Sequence, residues 1–440
     1  TDEMAGFNAY FVTDTPTLNQ DTKATYLAIR GSDGGSIKNL NDWVANDINF
    51  ALTNSYIPQA KLANQALKAK IKEISAKSPR VDLNVTGHSL GTMISAQAVA
   101  KLYQDDPKGA YEKIGKVVLF DGPDVTQSLK NMGLSEAEIK TIGEKVTYYV
   151  NPFDVVSMLN RSAPLDKQFG QVNIIVPMNF NMTLNVDKFS DKTYRSSHDF
   201  GEFQMDSEGN FLVASESFHP ELITAGRDLA KLIDKTVSKL EISLGMVIPT
   251  SILMTALSGG AAGLIALGLT AAEAVQILDE FRKDYKKIIK TAKKASKKWN
   301  TKHIPDYHNR IRSATGSEKI KLRAELLQSV AQDTLFQSED LAKEVKQMVH
   351  DTKEKVQQEI NEAHQAVHNV VQYLDDWEVS SLLFEFELSQ FWDTGIEEEI
   401  MSEASKYQNE LAHFSTTLLK VSQNIQEVDA KGAAGFKNLM

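Results

Sequence analysis

The chain has 440 residues and a formal net charge of −10, and it contains 42% hydrophobic and 24% charged residues. This length exceeds that of most single domains and therefore predicts two domains. The composition excludes a wholly disordered chain, and the negative charge argues against nucleic acid as the main partner. The complete absence of cysteine excludes disulfides, thiolate nucleophiles and cysteine-based zinc sites.

The part before residue 240 alternates short apolar runs with helical patterns. The runs predict strands at Thr25–Ile29, Val81–Val85, Lys116–Phe120, Lys145–Val150 and Val172–Val176. The helical spacing predicts helices at Pro58–Lys77 and Leu90–Tyr103. Strands that alternate with helices predict a mostly parallel sheet covered on both faces, which is an α/β fold.

The composition changes near residue 240, after which no strand pattern persists. We therefore predict an α/β domain at 1–235 and an elongated, all-α domain at 236–440. Residues 242–272 contain no charged residue and are long enough to cross a bilayer, for which about 20 residues suffice. Pro249 and a Ser-Gly-Gly break at 258–260 divide this stretch. The division favours an apolar hairpin, buried in the protein or under a partner, over a membrane-inserting helix.

Further along, the pattern is wholly helical. A basic run at 282–302 is typical of a solvated helix face, and a contact with anionic lipid is the alternative. Residues 341–377 form one amphipathic stretch. A final helix carries apolar residues at alternating spacings of four and three, namely Ile400, Ala404, Tyr407, Leu411, Phe414, Leu418, Val421, Ile425 and Val428. This spacing predicts a narrow helix–helix seam, formed either within the chain or with a partner helix.

The strongest chemical motif is Gly87-His88-Ser89-Leu90-Gly91, between a predicted strand and a predicted helix. A serine on such a tight turn stands clear of the backbone, and the flanking glycines let the strand and helix approach closely. The motif and its context predict the nucleophile elbow of an α/β-hydrolase, with Ser89 as nucleophile. The backbone N–H of Leu90, at the helix start, is one predicted oxyanion donor.

A serine nucleophile needs a histidine base that is oriented by an acid. Two acids follow predicted strands, Asp121 after KVVLF and Asp154 after KVTYYV-Asn-Pro-Phe. The acid of this fold class usually lies one strand beyond the strand that follows the serine, which favours Asp154.

Three histidines precede residue 240 of the hydrolase part. The acid and then the histidine follow the serine in chain order, so His88 is the least favoured as base. His198 lies in a polar loop after the last predicted strand, whereas His219 precedes Pro220 and a helix, where capping or packing is the simpler interpretation. We therefore predict His198 as the base, with His219 as the alternative.

The second oxyanion donor is expected in the loop after an early strand. Arg30-Gly31-Ser32 follows Thr25–Ile29, and Ser32 is the predicted donor. Together with Asp42-Trp43, Asp47 and the GHSLG motif, this segment resembles the class 3 (fungal-type) lipases, in which the loop usually reads Arg-Gly-Thr. Asn151 to Val156 resembles the segment of that family that carries the acid. The resemblance covers roughly residues 6–222 and implies a lipase without cofactor or metal.

The order of the two parts, lipase first and helices second, resembles lipase toxins of the type VII secretion system that carry an LXG-like helical domain in reversed position. Trp392-Asp393-Thr394-Gly395 is a near match to the Trp-x-Gly turn of small type VII substrates. The resemblance implies phospholipase A activity, small helical partner proteins on the C-terminal domain and an immunity lipoprotein. It also implies secretion without a cleavable signal peptide and action at membranes. A triacylglycerol lipase or esterase, or a membrane-binding protein on a hydrolase scaffold, is the alternative.

Overall fold

A computed structural model gives the fold of this chain. It describes residues 7–30, 56–183, 196–206, 209–246, 261–262, 264–265, 268–371 and 373–437, with side chains as far as residue 421.

Six strands form one sheet in the order in which they occur along the chain. They are β1 (Ala9–Thr13), β2 (Thr25–Ile29), β3 (Leu83–His88), β4 (Ile114–Phe120), β5 (Val146–Val150) and β6 (Gln171–Ile174). β1 pairs with β2 in antiparallel fashion, and every later pair is parallel. The short edge strand β1 is absent from the sequence prediction because each of its residues is only half-buried or exposed, so its apolar signal is weak.

The helices of this region are α1 (Pro58–Lys77), α2 (Leu90–Asp105), α3 (Thr126–Asn131), α4 (Glu136–Gly143), α5 (Val155–Met158) and α6 (Pro220–Leu244). α1 buries one apolar stripe that includes Ala60, Ala63, Leu67, Ile71 and Ile74, which is the spacing of one helical face. α2 packs against α1 and β3. The carboxyl ends of β3, β4 and β5 consequently lie side by side, and each is followed by a candidate site residue.

The chain divides into two compact units, one of residues 1–205 and 210–299 and one of residues 206–209 and 300–440. This division differs from the expected boundary at 235/236, which falls inside α6. The reason is that the helix at Ala271–Ser313 contacts segments that follow the strands of the hydrolase sheet. There the buried hydroxyl of Tyr285 donates to Phe153 O and accepts from the Thr183 N–H at 3.0 Å. The Trp299 ring lies 4.1 Å from that of His219.

The predicted apolar hairpin at 242–272 lies mostly outside the described residues. α6 ends at Leu244, where Gly245 takes a left-handed conformation at φ 65°. The following helix begins with reciprocal hydrogen bonds between Thr270 and Glu273. Among the helices that the structure describes, none has both the length and the apolar character required to cross a bilayer.

The rest of the described chain is helical, with α7 (Ala271–Ser313), α8 (Gly316–Val370), α9 (Asp376–Leu383), α10 (Leu388–Phe391) and α11 (Thr394–Lys437). α8 and α11 pack along each other. Lys353 pairs with Glu397 at 2.7 Å, and the Trp392 indole donates to the same carboxylate at 2.6 Å. The near match to a Trp-x-Gly turn is therefore the start of α11, where Asp393 accepts from the Gly395 N–H. The predicted α/β region followed by a long helical region is confirmed.

The face that α11 buries differs from the predicted seam. Ala404 and Leu411 are half-buried. The residues of the predicted stripe that lie seven apart are between 41% and 51% exposed, namely Ile400, Tyr407, Phe414 and Val421. The internal pairing with α8 therefore covers only one side of the stripe. The apolar side chains at the seven-residue spacing remain at the surface.

Candidate active site

Ser89 lies on a sharp turn between β3 and α2. Its backbone is left-handed, with φ 57° and ψ −127°, a strained conformation for a non-glycine residue. A Cβ atom on Gly87 would lie 2.4 Å from Gly91 O, so the strand and helix meet at a distance that only glycine permits. The Ser89 N–H donates to Phe120 O at 3.0 Å, and the Thr92 hydroxyl donates to Ser89 O at 2.7 Å. These contacts fix a sharp strand–turn–helix geometry, which is the geometry that a nucleophile elbow requires.

Leu90 is the first residue of α2, and helix geometry leaves the first backbone N–H groups without an intrahelical acceptor. Its assignment as an oxyanion donor stays a prediction. The other predicted donor, Ser32, lies outside the described residues, as do Asp42, Trp43 and Asp47.

Asp154 is fully buried at the N-cap of α5. Its Oδ1 accepts from the Val156 N–H at 3.1 Å and from the Thr183 hydroxyl at 3.0 Å. Its Oδ2 accepts from the Ser157 N–H at 2.9 Å and lies 2.5 Å from the Ser157 hydroxyl. So many donors stabilise an ionised carboxylate in a site that excludes water.

His198 is the histidine that the structure brings to Asp154. Its Nδ1 donates to Asp154 Oδ2 at 2.8 Å, and its side chain is 10% exposed. Because Nδ1 carries the donated proton, Nε2 is left as the basic nitrogen. It is buried and has no hydrogen-bond partner among the described residues.

His88 connects the elbow to this pair. Its ring lies 4.9 Å from the His198 ring, and its Nε2 donates to His198 O at 3.2 Å. Its neighbour in sequence is Ser89, so the turn that holds the serine also holds the histidine loop. His219 has different partners: its Nδ1 bonds Glu221 at 2.7 Å and its ring packs on Trp299.

Burial and charge set the protonation of the group. Burial alone would lower the pKa of His198, but the carboxylate of Asp154 raises it to about 9. Burial alone would raise the pKa of Asp154, yet the charge and hydrogen bond of His198 bring it below its usual value. For His88, burial and then the charge of His198 lower the pKa to about 4, so this ring is neutral at physiological pH.

Asp121, the acid that the sequence left as an alternative, lies at the end of β4 with a left-handed backbone at φ 48°. It is fully buried, and its Oδ1 accepts from the Asn151 N–H at 2.9 Å and lies 3.0 Å from the Ser157 hydroxyl. Its Oδ2 has no hydrogen-bond partner among the described residues. The structure therefore gives the site two carboxyl groups, and it is Asp154 that bonds the histidine.

Within the described residues, His88, Asp121 and His198 also bring ligand-type atoms within 4.8 Å of one another. Two of the histidine nitrogens already donate hydrogen bonds and so offer no lone pair to a metal ion. His88 Nε2 must carry a proton to donate to a carbonyl oxygen, and His198 Nδ1 donates to Asp154.

Ser157, Thr183 and Tyr285 were not anticipated as site residues. The sequence contained a signal that could have identified Ser157. It lies three residues after an aspartate at a helix N-cap, where its N–H points at that carboxylate. Thr183 and Tyr285 had none, because they are 29 and 131 positions from Asp154 and only the tertiary fold brings them to it.

Comparison with protein families matches residues 43–185 to a family described as an alpha/beta hydrolase of unknown function (DUF900). The match includes Ser89, Asp121 and Asp154 and ends before His198. No match was found among curated proteins or among solved structures. The N-terminal part of the chain is thus an α/β-hydrolase domain, which suggests hydrolase activity. The resemblances to class 3 lipases and to type VII toxins stay predictions.

We expect Asp154→Asn to lower the pKa of His198 by about one unit or more, because it removes the buried charge that favours the imidazolium. The pKa is measured by NMR titration of the imidazole resonances. Asp199→Asn serves as the control, because this exposed carboxylate is screened by water and should shift the pKa far less. An unchanged titration in Asp154→Asn would show that the carboxylate does not act on His198.

Proposed function

We propose that this protein is a serine ester hydrolase, a lipase with phospholipase A activity, in which Ser89, His198 and Asp154 are the catalytic residues. The observation that carries the proposal is the 2.8 Å bond from His198 to a fully buried Asp154. Ser89 lies on a strained strand–helix turn, and its neighbour His88 bonds the backbone of His198. The same set of roles defines serine hydrolases on several unrelated folds.

In the proposed reaction, Ser89 Oγ attacks the acyl carbonyl while His198 Nε2 takes the hydroxyl proton. Asp154 stabilises the imidazolium that forms, and the oxyanion accepts hydrogen bonds from the Leu90 N–H and from Ser32. The imidazolium then gives its proton to the leaving alcohol, and an acyl-enzyme remains on Ser89. Water, deprotonated by His198, attacks that ester and releases the fatty acid.

An apolar surface beside the histidine supports a lipid acyl chain as substrate. Phe200 follows His198 by two residues and is 53% exposed. Its ring lies 5.1 Å from the rings of Phe120 and Phe203 and 6.2 Å from that of His88. Phe120 and Phe203 are buried, so Phe200 is the exposed ring of this cluster, and its place near the histidine favours contact with hydrocarbon.

We expect Ser89→Ala to lower ester hydrolysis by at least about 10³-fold, because no other group replaces the nucleophile. Products are identified by mass spectrometry on mixed phospholipid and triacylglycerol vesicles. Ser217→Ala, on an exposed turn, is the matched control and should keep full activity. Fatty acid released from triacylglycerol alone would contradict the phospholipase assignment, and undiminished turnover by Ser89→Ala would contradict the enzyme assignment.

We expect Phe200→Ala to lower kcat/KM about tenfold or more for long-chain p-nitrophenyl esters and much less for the acetate, because acetate has no chain to contact the ring. The control is Tyr10→Ala, which removes an equally exposed ring from β1. Equal losses on both esters would contradict the acyl-chain assignment.

We also propose that the helical region binds small helical partner proteins, and that the protein is a toxin exported by a type VII system and neutralised by an immunity lipoprotein. The exposed residues Ile400, Tyr407, Phe414 and Val421 on α11 support the first part. A seven-residue apolar repeat matches the packing of a further helix. The membrane remains the competing surface for the apolar stretch at 242–272.

Co-expression with candidate small helical proteins tests this module. We expect a stable complex, and we expect Tyr407→Lys with Phe414→Lys to abolish it, because two buried charges would face an apolar helix. Thr416→Lys with Thr417→Lys, also exposed on α11, should leave it intact. A chain that is monodisperse alone and partitions into liposomes would contradict the partner proposal.

A further inference from the structure

Two buried carboxyl groups of the site share one hydroxyl. Ser157 Oγ lies 2.5 Å from Asp154 Oδ2 and 3.0 Å from Asp121 Oδ1. A serine hydroxyl has a single proton and can donate to only one of them. The other contact requires a proton that comes from a carboxyl group.

The hydrogen bonds identify which carboxyl group holds that proton. Both oxygens of Asp154 accept from other donors: the Val156 N–H, the Thr183 hydroxyl, the Ser157 N–H and His198 Nδ1. Asp121 accepts from one further donor, the Asn151 N–H, and its Oδ2 has no partner among the described residues. A buried carboxylate with an oxygen that accepts no hydrogen bond costs far more free energy than a neutral carboxyl group.

We propose that Asp121 is a positioning residue that holds a proton, directs the Ser157 hydroxyl onto Asp154 and keeps the second carboxyl group of the site uncharged. The chain of donors then runs in one direction. Asp121 Oδ1–H donates to Ser157 Oγ, Ser157 Oγ–H donates to Asp154 Oδ2, and Asp154 receives the His198 proton from the other side. The proposal adds a role to the site assigned above and rests on that function for its kinetic consequence alone.

The titratable groups around Asp121 agree with this arrangement. Asp154 faces it from the start of α5, His88 from the end of β3 at 3.9 Å, and His198 from its loop, where Asp199 is the next acid. Burial, and then the charge of Asp154, raises the pKa of Asp121 to about 8. The carboxyl group is therefore neutral below that pH and ionised above it.

The proton on Asp121 matters to the reaction in two ways. An ionised Asp121 would join Asp154 in favouring the imidazolium, which cannot act as a base. It would also place a second negative charge near that of Asp154 in the same buried cluster, and it would compete for the Ser157 proton. His198 must itself lose a proton, at a pKa of about 9, before it can act as a base, so ionisation of Asp121 at lower pH delays the rise of activity with pH.

Infrared difference spectroscopy of the full chain tests the proton directly and does not depend on turnover. Ordinary Asp and Glu side chains are ionised at about pH 6.5, so the C=O stretch of a protonated carboxyl group stands out. We expect a band that disappears near pH 8, is absent from Asp121→Asn and is retained in Asp124→Asn. Asp124 is a matched control, because it is a buried aspartate of the same loop that bonds Thr126 and Phe169 instead. A band that persists in Asp121→Asn would overturn the proposal.

The pH profile of kcat/KM tests the positioning role. In the wild type and in Asp124→Asn we expect kcat/KM to rise with pH until His198 loses its proton, at a pKa of about 9. In Asp121→Asn we expect the maximal kcat to be roughly 3- to 10-fold lower, because an amide N–H is a weaker donor than a carboxyl O–H. We also expect the rise of kcat/KM to occur at a lower pH, because no carboxylate forms at this position to favour the imidazolium. Circular dichroism verifies that each variant is folded.

The two measurements separate the proposals. A rise of kcat/KM at the same pH in Asp121→Asn as in the wild type, with an unchanged maximal kcat, would overturn the positioning role. The expected infrared band without any ester turnover by the wild type would overturn the proposed function and support the proton on Asp121.

Discussion

The hydrogen bond between His198 Nδ1 and Asp154 Oδ2 is the constraint on which the hydrolase unit depends. A carboxylate can remain ionised away from water only if protein donors replace its hydration. Asp154 obtains those donors from the start of α5, from Thr183 and from the histidine itself. Tyr285, on a helix more than 100 positions further along the chain, holds the backbone at Phe153 and Thr183. The helix that follows the sheet is thus part of the support of the site.

The sheet brings the ends of three strands, and the site residues that follow them, to one edge. Ser89, Asp121 and Asp154 follow β3, β4 and β5, and parallel neighbours deliver their carboxyl ends to the same edge. Close packing then fixes the turns. A Cβ on Gly122 would lie 1.9 Å from the Thr92 hydroxyl oxygen, and that hydroxyl bonds Ser89 O. The turn after β4 and the elbow after β3 therefore constrain each other, and the left-handed residues at both turns are held by the packing around them.

Burial limits the number of ionised groups that the site can hold. Two carboxyl groups and two histidines lie together with little access to water, so each additional ion would have to be stabilised by protein groups. Asp154 receives enough donors for a full charge, whereas Asp121 does not. The unequal supply of donors gives two chemically identical side chains different protonation and hence different roles. The helical unit shows a comparable asymmetry, since α8 covers one side of α11 and leaves an apolar row exposed.

Local sequence determined most of the helices and strands and the position of Ser89 on a turn between a strand and a helix. β2 and α1 have the predicted bounds, and the other parallel strands differ by a few residues at their ends, because buried strands and amphipathic helices have strong apolar periods. The order of elements also favoured Asp154 and His198 over Asp121 and His219. The weakly buried edge strand β1 and the extension of the hydrolase unit into α7, as far as Trp299, were not evident, since both depend on contacts with distant residues.

Only the tertiary structure decided how these residues are used. The sequence places two acids after strands, but the number of hydrogen-bond donors that reach each carboxyl group is set by Ser157, Thr183 and the histidine loop together. The heptad spacing of α11 likewise indicated an apolar stripe but not which side of it the chain would cover. In both cases the deciding quantity is the local environment of a side chain. That environment is assembled from segments far apart in sequence, so no local pattern encodes it.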